Sequence, residues 1–165
     1  MATKYGTEAT KYFNQTIKDL AEKSQLNGRI HVLYDEYIFT ADLAVNDVMV
    51  MGGGYLPQGA RVLDVICDSP DLDSAAAGAL TVGWAASPDL DSSGTTLEAA
   101  SSAGFLSSMD VNTAGKTLSM STLLQTAVAG KYKKFAGRVQ VQVKITGETN
   151  ATTGTVRCAV YYLFD

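Results

Sequence analysis

The stretch Arg138-Val-Gln-Val-Gln-Val-Lys-Ile-Thr146 decides the fold. In an extended chain Val139, Val141, Val143 and Ile145 fall on one side, and Gln140, Gln142 and Lys144 on the other. Side chains of a strand alternate between its two faces, so this is a strand with one buried and one wet face. The pattern returns in Thr155–Asp165 (TVRCAVYYLFD), where Val156, Cys158, Val160, Tyr162 and Phe164 share the inward side. Glu148–Gly154 (ETNATTG) between them reads as the loop of a hairpin.

Working towards the N-terminus, further strands follow. Ile30–Phe39 (IHVLYDEYIF) is rich in β-branched and aromatic residues, and Asp47–Met51 (DVMVM) follows a turn at Val45-Asn46. Gly52-Gly53-Gly54 and Pro57-Gln58-Gly59 read as punctuation. Arg61–Cys67 alternates with Leu63, Val65 and Cys67 on one face, and Ala79–Ala85 with Leu80, Val82 and Trp84 on one face. Phe105–Val111 and Lys116–Leu124 are weaker strands. About eight strands, with no alternating strand-and-helix units, make residues 29–165 an all-β sandwich or jelly-roll domain.

Residues 1–28 follow a different rule. Phe13, Ile17, Leu20 and Ala21 recur at helical spacing, and Asn27-Gly28 is a helix stop or a turn. This segment reads as a partly helical N-terminal arm, packed on its own domain or reaching a neighbour.

Composition narrows the function. The 165 residues are 46% hydrophobic and 18% charged, with one His, two Cys and a net charge of −4. The apolar content excludes a wholly disordered chain. No apolar run approaches the ~20 residues of a membrane helix. The opening MATKYGTEATKY lacks the apolar core of a signal peptide, so synthesis in the cytoplasm with reduced thiols is expected. An acidic balance argues against nucleic acid as a partner. The charges are segregated: residues 1–61 carry a net −1, residues 62–130 carry −7 and residues 131–165 carry +4. The pattern fits charge scattered over one folded surface, or an acidic face of one copy meeting the basic face of the next through Lys131, Lys133 and Lys134.

Candidate chemistry is sparse. Asp89-Leu-Asp91-Ser-Ser93-Gly94 resembles the start of a calcium loop, but position twelve of that loop would be Ala100, with Glu98 two residues too early. A turn is the better reading, with an ion site as the alternative. Ser69–Ser74 and Ser87–Ser92 are two copies of SPDLDS, placed to turn the chain at opposite ends of the strand between them. Cys67 and Cys158 fall on inward faces and read as small buried hydrophobes, able to bridge only where their strands adjoin in an oxidising compartment. His31 lies within a strand and has no nucleophile elbow to serve. Asp35 and Glu36 are strand neighbours facing opposite ways, so they form no catalytic carboxylate pair. Trp84 with Tyr34, Tyr37 and Tyr55 forms either a sugar platform or ordinary core. Neither catalysis nor a cofactor or metal site is supported.

Five strings carry a resemblance: Gly28–Tyr37 (GRIHVLYDEY), Leu56–Asp64 (LPQGARVLD), Leu80–Trp84 (LTVGW), Gly104-Phe105-Leu106 and Ala159–Tyr162 (AVYY). Together they resemble the capsid decoration, or cement, proteins of tailed bacteriophages, along most of the chain from Gly28 onward. The resemblance implies a noncatalytic virion protein on the outer capsid surface. It would be a homotrimer that binds the major capsid protein and bridges capsomers. The arm residues Phe13, Ile17 and Leu20 and the lysines Lys131, Lys133 and Lys134 would then touch capsid or sister subunits. A head-fibre, neck or tail component, or a carbohydrate-binding β-sandwich module, are the alternatives.

Overall fold

The computed structural model describes residues 29–39, 44–72, 78–111, 116–121, 129–147 and 153–164. The arm at 1–28, with Phe13, Ile17 and Leu20, lies outside the described residues. Eight strands form the body: β1 (His31–Phe39), β2 (Val48–Leu56), β3 (Ala60–Ser69), β4 (Ala79–Trp84), β5 (Ser101–Asp110), β6 (Lys116–Ser119), β7 (Val139–Thr146) and β8 (Gly154–Phe164). They build two four-stranded sheets in the orders β1-β8-β3-β6 and β2-β7-β4-β5. The pairs β1·β8, β2·β7, β3·β6 and β4·β5 are all antiparallel, so the first half of the chain pairs in reverse with the second. Rolling that long nested ribbon adds β3·β8 and β4·β7 and closes two sheets face to face. This is an eight-stranded jelly roll, and the all-β sandwich expectation holds.

The core lies between the sheets. Val139, Val141, Val143 and Ile145 of β7 are fully buried beside Leu80, Val82 and Trp84 of β4. Opposite them stand Ala60, Val62, Val65 and Cys67 of β3 and Val156, Cys158 and Val160 of β8. Each fully buried Val contributes about 1.5–3 kcal/mol relative to leaving it exposed.

Four local readings are corrected. Gly52-Gly53-Gly54 does not end a strand but lies inside β2, where the register with β7 jumps from Met51↔Val141 to Leu56↔Val139. Glycines accommodate such a bulge without a side-chain clash. In β3 a register shift between Val62 and Asp64 moves the buried set to Val62, Val65 and Cys67, leaving Leu63 half-buried. The hairpin expected around Glu148–Gly154 does not form, because β7 and β8 belong to different sheets. Phe164 is exposed and stacks edge-on against His31 and Tyr162 instead of entering the core.

Candidate contact surface

At one end of the sandwich, three connections are fastened to each other. They are the β2–β3 turn at Pro57–Gly59, the β4–β5 loop at 85–100, and the segment 129–138 leading into β7. Segment 132–135 runs beside the first half of β3, through Tyr132 N to Val62 O at 2.9 Å, Val62 N to Lys133 O at 3.1 Å and Phe135 N to Ala60 O at 3.0 Å. The turn joins it as Gly59 N donates to Phe135 O at 2.9 Å and Gln58 Nε2 to Ala136 O at 2.8 Å. Gly59 has a φ of +82°, the left-handed conformation that places glycine there.

Aromatic packing anchors the assembly. The Trp84 ring lies 4.9 Å from Phe105 and 5.0 Å from Phe135 between centroids, and its Nε1 donates to Ala99 O at 2.8 Å. A methyl at Gly104 would lie 2.1 Å from the Trp84 ring, so only glycine admits the indole against β5. Trp84 is buried, and it is not gathered with Tyr34, Tyr37 and Tyr55, which all lie exposed on β1 and β2. Of the two readings of Trp84, ordinary core is the one that holds, with the indole packed on Phe105 and Phe135.

The charge segregation resolves largely within one copy. Lys133 Nζ pairs with Glu98 at 2.9 Å and sits 5.9 and 5.6 Å over the Trp84 and Phe135 rings. Arg138 Nε pairs with Asp89 at 3.0 Å, its backbone N–H donates to the same carboxylate at 3.0 Å, and its guanidinium stacks on Tyr55 at 5.0 Å. Arg157 reaches both Glu36 and Asp68 at 3.4 Å. Basic residues of the last segment thus neutralise acids of the middle one. Tyr55, Pro57, Gln58, Asp89 and Arg138 line an open groove of about 530 Å³.

The Asp89–Gly94 loop is built as a turn. Asp91 accepts from Ser93 Oγ at 2.6 Å, Ser93 N at 2.8 Å and Thr95 N at 2.9 Å. The Ser93 hydroxyl first, then the Thr95 and Ser93 amides, hold the exposed Asp91 carboxyl below its ordinary range. Asp89 is committed to Arg138, so the two carboxylates serve different partners. Among the described residues no group of three or more His, Cys, Asp or Glu is placed to hold a metal ion. The two SPDLDS copies do flank β4: Leu72 N bonds Val111 O at the Ala79 end, and Ser87 N bonds Glu98 O beyond Trp84.

Of the lysines singled out from sequence, Lys133 is half-buried in its ion pair, while Lys131 and Lys134 are exposed. One residue escaped sequence reading. Tyr132 is 59% exposed, and its φ of +57° is rare for a bulky side chain. The conformation is fixed from both sides, by the Tyr132 N–H bond to Val62 and by Arg61 Nη1 donating to Tyr132 O at 3.0 Å. Lys131 Nζ lies 5.7 Å over its ring. A left-handed conformation costs a non-glycine residue about 1–2 kcal/mol, and such strain collects where a side chain is presented for use. The run Lys131-Tyr132-Lys133-Lys134 was the only sequence signal for it.

Cys67 and Cys158 stand directly opposite one another across β3 and β8, both buried and both free thiols. A hydrogen bond with Cys158, and then burial, push the Cys67 thiol well above its ordinary range. The thiolate is the reactive form, which Cys67 does not readily reach, and Cys158 is shut away by burial, so both should stay inert to a colorimetric thiol reagent at pH 8 in the native protein. Both cysteines should titrate once the chain is unfolded. Rapid reaction in the native state would show that β3 and β8 do not pack as described.

No protein-family model matches the chain, and no curated protein matches it. Among solved structures, the chain is similar to one in the cyanophage Pam1 capsid asymmetric unit, with 24% identity, a TM-score of 0.54, and coverage of 84% of this chain and 86% of that one. It is also similar to one in the capsid of Ralstonia phage GP4, with 20% identity, a TM-score of 0.60, and coverage of 83% and 85%. The likeness is one of fold.

Proposed function

We propose that this chain is a noncatalytic virion protein of a tailed phage, a decoration or cement protein that binds the major capsid protein on the outer shell and bridges capsomers. The observation that carries this reading is the jelly roll shared along more than four-fifths of the chain with chains of two phage capsid structures. The fastened loop end supports it, because a cement protein needs a rigid surface rather than a catalyst. Tyr132, Lys131 and Lys134 are the contacts of the β body, and the arm residues Phe13, Ile17 and Leu20 add area on a neighbouring subunit. A homotrimer suits this role, since one trimer touches three equivalent capsid surfaces and multivalency multiplies a modest single contact.

Shells stripped of the protein should lose heat and osmotic stability and regain it on re-addition. Unchanged stability would end the cement reading. Immunogold labelling of intact particles should mark the head, and label on the neck, a fibre or the tail would move the protein there. Tyr132→Gly relieves the left-handed strain, so folding stability should hold or rise by up to about 1 kcal/mol. Shell affinity should nevertheless fall about tenfold, a loss of about 1.4 kcal/mol in binding, as measured by co-sedimentation. Equal affinity would remove Tyr132 from the contact.

A further inference from the structure

The outer side of the β2-β7 pair mixes Gln140, Gln142 and Lys144 with exposed Val48 and Val50. The outer side of the β1-β8 pair is apolar, and on β3 it is bounded by Asp64 and Arg61, which stand opposite Tyr161 and Leu163. Register places Val32 against Tyr161, Tyr34 against Ala159 and Ala159 against Ile66, and Ile30 directly precedes β1. Ile30, Val32 and Tyr34 are 61%, 52% and 57% exposed among the described residues. The patch ends where Glu36, Arg157 and Asp68 form an ion-paired row across the same three strands.

Its size argues against a flat partner. Strand rise and spacing give roughly 13 Å by 10 Å, on the order of 130 Å². A stable protein–protein interface takes about 800 Å² from each side. The patch instead fits two to three turns of one helix, about 10 Å wide.

We infer that this face is the seat of the chain's own 8–26 stretch in the free protein. Twenty-eight residues precede Arg29, and the chain enters β1 through Ile30, itself a member of the patch. Asn27-Gly28, just before that entry, is a turn sequence, and a turn there would bring the preceding chain back over the sheet. The stripe Phe13, Ile17, Leu20 spans about 10 Å along a helix, close to the length of the patch. The short tether favours a seat on the same copy through its high effective concentration. The inference shares the arm with the proposed function. On the shell, the stripe would pass to the equivalent seat of a neighbouring copy without losing its contacts.

The test uses the full chain, free and dilute, with trypsin cleavage after Lys23 as the readout. Seated, the segment is protected. Val32→Asp on the seat and Phe13→Asp on the arm should each speed cleavage at least about tenfold, and the double variant should add little beyond either. Unchanged Trp84 emission reports an intact body, and Tyr34→Ser replaces Val32→Asp should that variant unfold. Equal cleavage rates in the parent and both variants would overturn the seat. Protection that grows with protein concentration would overturn it too, because the arm would then sit on another copy. Neither readout involves the shell, so this inference and the cement reading fail separately.

Discussion

Replacing Trp84 by Ala should cost about 3–5 kcal/mol of folding stability, the range for emptying a buried aromatic site. Against a total of about 5–15 kcal/mol for a typical domain, this is a large fraction. The indole touches Phe105 of β5 and Phe135 of the 129–138 segment, donates to Ala99 in the β4–β5 loop and lies under Lys133. Its loss therefore leaves a cavity and the Ala99 carbonyl without its donor. It also releases the Lys133–Glu98 pair from its support. Urea unfolding followed by circular dichroism measures the first effect. Proteolysis within 129–138 under native conditions measures the second, which should appear before global unfolding. A loss below about 1 kcal/mol would show that the aromatic cluster is not the joint between these loops.

The second large effect is positional. Val143→Asp places a carboxylate between the sheets, where Val143 is fully buried among apolar side chains. An unpaired buried charge costs several kcal/mol or more, so this variant should fail to fold at room temperature. Gln142→Asp, one residue away, points to the wet face of β7 and should change stability by no more than about 0.5 kcal/mol. The pair of variants carries the same chemistry on adjacent residues, and only the pleat separates them. Soluble expression with native circular dichroism for Val143→Asp would show that the assigned face is wrong.

That contrast also marks what a single sequence makes legible. The alternation of Val139 to Ile145 belongs to local geometry and needs no partner, so strand identity and buried face were readable. Sheet membership depends on partners far along the chain. The segment after β7 looks the same whether it turns back as a hairpin or crosses to the other sheet. Bulges were hidden for a similar reason: the extra residues in β2 and β3 are defined only against β7 and β8. At the loop end, the lysine cluster stood out, but its division of labour did not. Lys133 is absorbed by Glu98 and two rings, while Tyr132 is turned outward by a left-handed backbone that no composition reveals. The −7 and +4 segments fitted either one folded surface or pairing between copies, and the ion pairs Lys133–Glu98, Arg138–Asp89 and Arg157–Asp68 join them within one copy.

The nested strand pairing has a bearing on synthesis. β8 sits between β1 and β3, so neither of those early strands has its main partner until the last described strand has left the ribosome. Only the β3·β6 pair of this sheet can form as the chain emerges, and the rest waits for translation of residues 154–164. Pairings so distant in sequence fold slowly, on a scale of about milliseconds to seconds. During that interval the long β1 strand, with Val32, Tyr34 and Ile38 along it, exposes a sticky edge. Yield at high expression should therefore be limited by encounters between nascent chains, and slower translation or lower temperature should relieve it.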